Sequence, residues 1–162
     1  MAGKVLILMG SKSDAEVMGE VSHTLSALGV PCTTTVASAH RSPGRTQKLA
    51  REAEVQGYSV IIAGAGAAAH LAGVVAAETV LPVIGVPLAS SPLLGLDSLL
   101  STAQMPGGVP VATMAVGKAG AQNAAYLAAQ ILALSDPKLK KRLRDRRRKM
   151  AEGVAASAKE VR

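Results

Sequence analysis

Residues 4–14 read KVLILMGSKSD: an unbroken aliphatic run from Val5 to Met9, then a glycine, two serines and an acid. So short a run, ended by loop-forming residues, fits a strand covered on both faces, which needs apolar side chains at every position. Immediately after it, Met18, Val21, Leu25 and Leu28 recur at helical spacing and stop at Gly29. Strand, polar loop and helix make the first half of a βαβ unit, and the rest of the chain repeats it. A Thr- and Val-rich strand is expected from about Pro31 to Ala37, and a helix from about Pro43 to Gln56 that ends at Gly57. A third strand follows over Tyr58–Ala63, with two more at Pro82–Val86 and Val109–Met114 and an Ala-rich helix over Lys118–Leu134. Such alternation predicts the α/β class, with a central parallel sheet between two helical layers.

At 162 residues and 49% apolar content the chain fits one domain, 1–162, with an αβα core over 1–134. Ser135-Asp136-Pro137 puts a capping residue before a proline and opens a separate basic terminal helix over 135–162. Its apolar positions, Leu139, Leu143, Met150 and Val154, form one narrow stripe suited to another subunit or to the domain edge. The net charge of +7 is a property of this helix: residues 138–149 carry nine of the 18 Lys and Arg and one acid, a local +8, so the remainder is −1.

A charge run of this kind gives only sequence-independent attraction to nucleic acid. Tyr58 and Tyr126 are the only aromatics, too few for a base-stacking module. No nucleic-acid partner is therefore expected. The lone Cys32 excludes an internal disulfide and fits a reducing compartment. No run reaches transmembrane length, so a cytoplasmic chain without a membrane partner is expected.

Open parallel sheets bind ligands beyond the carboxyl ends of their strands. Three loops qualify. Gly10-Ser11-Lys12-Ser13-Asp14 offers hydroxyls and amide N–H groups to an anion, and Asp14 could accept from sugar hydroxyls. Capping of the next helix by Ser13 or Asp14 explains the same residues, and both readings stand. The spacing is not that of a P-loop. The second loop, Ser38-Ala39-His40-Arg41-Ser42-Pro43, pairs a proton-shuttling side chain with a guanidinium fork for phosphate or carboxylate. His23, inside the first helical pattern, reads as structural. The third loop, from Gly64 to Leu71, lets backbone approach a ligand and is followed by a helix N-terminus, but it fails the dinucleotide fingerprint because Ala69 replaces the third glycine. No metal site is expected, since His40 and His70 lack companion ligands. In the doubly wound order 2-1-3-4-5 the three loops meet at one pocket.

The segments GSKSD, SAHRSP, AGAGAAAHLAG, LPVIGVP and LLGLDSLLSTAQMPGGVPVATMAVGKAGAQNAA together resemble the class I PurE family, the N5-carboxyaminoimidazole ribonucleotide mutases, over about residues 4–134. The resemblance implies a flavodoxin-like fold and a homo-octamer with pockets at subunit interfaces. It implies conversion of N5-carboxyaminoimidazole ribonucleotide to 4-carboxy-5-aminoimidazole ribonucleotide in purine synthesis, without cofactor or metal. A transient contact with the synthetase that makes the substrate is a further implied partner. On this reading His40 is the general acid and base; Ser11, Asp14 and Arg41 bind substrate; and Ser13, Ser38 and Ala39 adjoin them near the phosphate. Gly64, Ala65, Gly66, Ala67, Ala68 and Leu71 would cover the imidazole and the migrating carboxylate, with His70 as the second catalytic-site histidine, orienting the loop or bonding the carboxylate. The chain departs from the family pattern at Ala67, where glycine is usual, at Ala72, where proline is usual, and at Ala15 and Ser42. A related class II family carboxylates aminoimidazole ribonucleotide directly with carbon dioxide, and it departs from the GAGAAAHL and DSLLSxxQMP patterns present here.

Overall fold

A computed structural model describes residues 3–160. The ends of the expected unit and of its terminal helix, residues 1–2 and 161–162, lie outside the described residues. Five strands, β1 (Lys4–Met9), β2 (Cys32–Val36), β3 (Tyr58–Gly66), β4 (Val83–Leu88) and β5 (Ala112–Thr113), form one sheet in the order β2-β1-β3-β4-β5. Every pairing is parallel. Six helices connect or follow them: α1 (Ala15–Ala27), α2 (Pro43–Glu52), α3 (Leu71–Ala76), α4 (Leu96–Ala103), α5 (Lys118–Leu132) and α6 (Pro137–Glu160).

The continuous apolar strands are continuous because both faces are covered. Val5, Ile7, Val60 and Ile62 point into a cluster closed by Met18, Val21 and Leu25 of α1 and by Ala121, Ala124, Ala125 and Ala128 of α5. The alternate residues Leu6, Leu8, Ile61 and Ala63 point into a second cluster with Ala50 of α2 and Leu71, Ala72 and Val75 of α3. This is the flavodoxin-like three-layer sandwich, and small alanines let α1 and α5 lie close over the sheet.

The structure moves several expected boundaries. β3 runs three residues further, to Gly66, while α2 stops at Glu52 and a turn fills the gap to Gly57. β5 shrinks from the expected Val109–Met114 to two residues, because it is an edge strand in a stretch where Pro110 has no N–H to donate. Helix α4 has no counterpart in the apolar periodicity. Its buried positions are Ser98 and Thr102, whereas Leu96 and Leu100 are exposed. The buried hydroxyls are satisfied locally: Ser98 donates to the Leu88 carbonyl at 2.9 Å and Thr102 to the Ser98 carbonyl at 2.7 Å. In α6, Leu139 and Leu143 dock on the core, and Met150 and Val154 are exposed, so only half of the stripe meets this domain.

Candidate functional site

The register brings the strands to an end nearly level. Met9 pairs with Val36 on one side and Gly64 on the other, and Gly66 pairs with Leu88. The loops after β1, β2, β3 and β4 therefore leave one edge of the sheet, around the point where strand order reverses between β1 and β3. They enclose a cleft of about 430 Å³.

After β1 the chain makes one 3-10 turn, Lys12–Asp14, before α1. Ser11 caps it: Asp14 Oδ2 accepts from the Ser11 N–H at 2.9 Å and Ser11 Oγ accepts from the Ser13 N–H at 3.4 Å, a reciprocal capping box. The cap thus belongs to Ser11 with Asp14, and not to Ser13. The Ser11, Ser13 and Asp14 amides are engaged inside the turn, so fewer free N–H groups face the cleft than the loop sequence suggests, and the hydroxyls stand beside them. Ser11 Oγ accepts from Ser13 Oγ at 3.0 Å and keeps its own O–H to donate. Burial raises the Asp14 carboxyl above its ordinary range, with the Ser11 N–H and the Arg41 charge pulling the other way.

The second loop is bound to itself. Ser42 Oγ accepts from the Ser38 N–H at 3.1 Å, the Ser42 N–H donates to the Ser38 carbonyl at 2.9 Å, and Pro43 starts α2. Ser38 Oγ accepts from the Arg41 N–H at 3.1 Å, and Arg41 Nη2 donates to the Gly10 carbonyl at 2.9 Å. The guanidinium is thereby fixed across the β1 and β2 loops, with its remaining donors available to an anion.

His40 stands beside that clamp and reaches the third loop. Its Nε2 lies 2.8 Å from His70 Nδ1, and the two rings meet edge to face with centroids 5.0 Å apart. One N–H fills this bond, and either ring can supply it. His70 heads α3 in helical geometry and its ring makes no cap bond to the helix, which leaves the ring for His40.

The cleft wall brings together Ser11, Ser13, Asp14, Ser38, Ala39, His40, Arg41, Ala65, Gly66, Ala68 and Leu71. Three sequence candidates lie elsewhere. Gly64 is inside the sandwich, where a Cβ would sit 2.2 Å from Met18 Sδ. Ala67 is exposed at φ +51°, a left-handed conformation costly for a residue with a Cβ, and lies outside the wall. His70 stands behind His40, on the wall of a neighbouring cavity with Gly73, Leu100 and Met105. His23 is exposed on α1, away from the cleft. Gly10 of the first candidate loop also lines the wall, and sequence reasoning missed one wall residue, Ser90. Ser90 follows β4 directly, so the strand-end rule that picked the other three loops would have found it.

The AIR carboxylase family model matches residues 4–153. The chain belongs to this family. The N5-carboxyaminoimidazole ribonucleotide mutase of Brucella melitensis is 53% identical over 155 residues, 96% of each chain. The mutase of Escherichia coli is 53% identical over 151 residues, covering 93% of this chain and 89% of that protein. Among solved structures, Treponema denticola PurE2-S38D superposes with a TM-score of 0.90 at 25% identity, over 99% of this chain and 98% of that one.

Proposed function

We propose that the cleft converts N5-carboxyaminoimidazole ribonucleotide into 4-carboxy-5-aminoimidazole ribonucleotide, by loss and recapture of carbon dioxide with His40 as acid and then base. The protein is then an isomerase of purine synthesis, as its relatives are named at about half identity over nearly their full length. The observation that carries the mechanism is the His40–His70 pair beside Arg41.

Arg41 with the Ser11, Ser13 and Ser38 hydroxyls holds the phosphate, and Asp14 faces the ribose. Protonated His40 gives its proton to the exocyclic nitrogen as the N–C bond of the carbamate breaks and releases carbon dioxide. The ring C4 then bonds to that carbon dioxide. Neutral His40 takes the C4 proton, which restores both the aromatic ring and the acid. Charge and atoms balance without any further reactant. His70 holds the His40 ring through the 2.8 Å bond and can take up or return its proton. Ala65, Gly66, Ala68 and Leu71 form the side of the trap.

The reading extends to a single domain, a cytoplasmic location and an octamer in which neighbours complete each cleft. Supporting the last point, Leu93, Leu94, Leu96 and Leu100 are exposed between β4 and the end of α4, and Leu100 lines the cavity beside His70. No helix among the described residues is long and apolar enough to cross a membrane.

The test is to supply substrate labelled with carbon-13 in its carboxylate together with unlabelled bicarbonate. Product that retains the label, formed at a rate independent of bicarbonate, supports the mutase. Product formed from aminoimidazole ribonucleotide in proportion to bicarbonate would instead make the protein a direct carboxylase.

A further inference from the structure

We infer that Ser90 is a further substrate-binding residue, whose hydroxyl donates to the carboxylate that migrates. The inference rests on the mutase reading above. At the end of β4 the Ser90 N–H donates to the Leu88 carbonyl at 3.1 Å, and this tight turn folds the residue back over β3. Gly66 makes room for it: a Cβ there would lie 1.8 Å from Ser90 Oγ and 2.7 Å from Ser90 Cβ. The Ser90 hydroxyl therefore occupies the place of the side chain that residue 66 lacks, and both residues line the cleft.

The segment behind it is fixed. Ser91 Oγ donates to Asp97 Oδ2 at 2.6 Å, the Leu93 N–H donates to Ser91 Oγ at 3.1 Å, and Ser98 Oγ donates to the Leu88 carbonyl. Ser90 Oγ differs from these neighbours: it is exposed at the cleft wall and makes no hydrogen bond among the described residues, so that, like the Ser11 O–H, it is free to donate into the cleft. Seated over Gly66 on the cleft wall, this hydroxyl can donate to an acceptor bound there.

Strand order says which acceptor. Across the sheet the loops follow the order β2, β1, β3, β4. The cationic and hydroxyl clamp of Arg41, Ser38 and Ser11 belongs to the β2 and β1 end, and Ser90 to the β4 end. A ribonucleotide with its phosphate in the clamp presents its base, and the carboxylate on it, toward β3 and β4. Neither Lys nor Arg stands on the cleft wall at that end, so a neutral donor there can hold the carboxylate without anchoring it too tightly to move.

The experiment compares Ser90→Ala with the parent for binding of 4-carboxy-5-aminoimidazole ribonucleotide and of aminoimidazole ribonucleotide, which lacks the carboxylate, and for turnover. Loss of a hydrogen bond to a charged group is expected to weaken the carboxylated ligand roughly 10- to 100-fold and leave the other unchanged. Gly66→Ala, which displaces the hydroxyl, should show the same selectivity, and thermal melting of both variants controls for folding. Equal affinity of Ser90→Ala and parent for the carboxylated ligand would overturn the inference, as would equal weakening of both ligands. A parent that fails to isomerise the substrate overturns the mutase reading instead, which keeps the two failures apart.

Discussion

Gly64 sits in β3 directly beneath α1, and replacing it by alanine tests how the sandwich holds the cleft in shape. The added Cβ would lie 2.2 Å from Met18 Sδ, 2.8 Å from its Cε and 2.9 Å from its Cγ. Nonbonded heavy atoms settle near 3.5–4.0 Å, so the nearest contact is roughly 1.5 Å too short. Met18 has no exit, because its side chain is completely buried among Val21, Ile7 and Ile62. Either α1 moves off the sheet or Met18 leaves its rotamer, and overpacking of this kind costs about 1–3 kcal/mol. For a chain of this size the melting temperature should fall by about 2–12 °C. Urea denaturation at fixed protomer concentration measures the cost. Met18→Ala alone should lose about 2–5 kcal/mol, and the double variant should lose at least ~1 kcal/mol less than the sum, because the new methyl fills part of the vacated space. A Gly64→Ala loss below ~0.5 kcal/mol, or strict additivity with Met18→Ala, would refute this account of the packing.

Ala67→Gly should be neutral to stabilising: relief of a left-handed alanine is worth about 1–2 kcal/mol, and the freedom of glycine in the unfolded chain returns about 0.4–1 kcal/mol of it. A melting temperature lowered by several degrees would contradict the strain at φ +51°. Asp14 is held protonated to higher pH in the fold than in the unfolded chain, so its ionised form costs stability as pH rises through that window and costs nothing below the ordinary value of 3.8. Asp14→Asn keeps the acceptor for Ser11 and should match the parent near about pH 3 and exceed it near about pH 7 in denaturation curves; a gap that shrinks with rising pH would show the sign to be wrong. Leu139→Ala should cost about 2–4 kcal/mol, since that side chain is 2% exposed, while Val154→Ala, at 72% exposed, should stay within ~0.5 kcal/mol of the parent. Equal losses from the two would mean that α6 docks along its full length.

The strands were legible because burial on both faces demands uninterrupted aliphatic runs, and KVLILM and YSVIIA have no other economical reading. Helix α4 was illegible for the converse reason. Its core-facing residues, Ser98 and Thr102, satisfy their hydroxyls on nearby carbonyls, so polarity there marks the inside and leucine the outside. The loops after β1, β2 and β3 could be picked out because His, Arg, Ser and Gly are unusual at strand ends. The ring contact between His40 and His70 could not, because it depends on register between the loops after β2 and β3, far apart in the chain. Ser90 carries no motif, and in the sequence only its position just after β4 marks it; its place over Gly66 emerges from the fold.

His40→Asn puts the central claim to the most direct test, with substrate affinity and turnover measured on the same preparation. The asparagine is similar in size and polar, but it cannot carry a proton between nitrogen and carbon. Turnover should fall by about 10²–10⁴ or more while the ribonucleotide still binds within a few-fold of the parent, because Arg41 and the serine hydroxyls are untouched. Near-native turnover in His40→Asn would contradict the assignment of the proton transfers to His40.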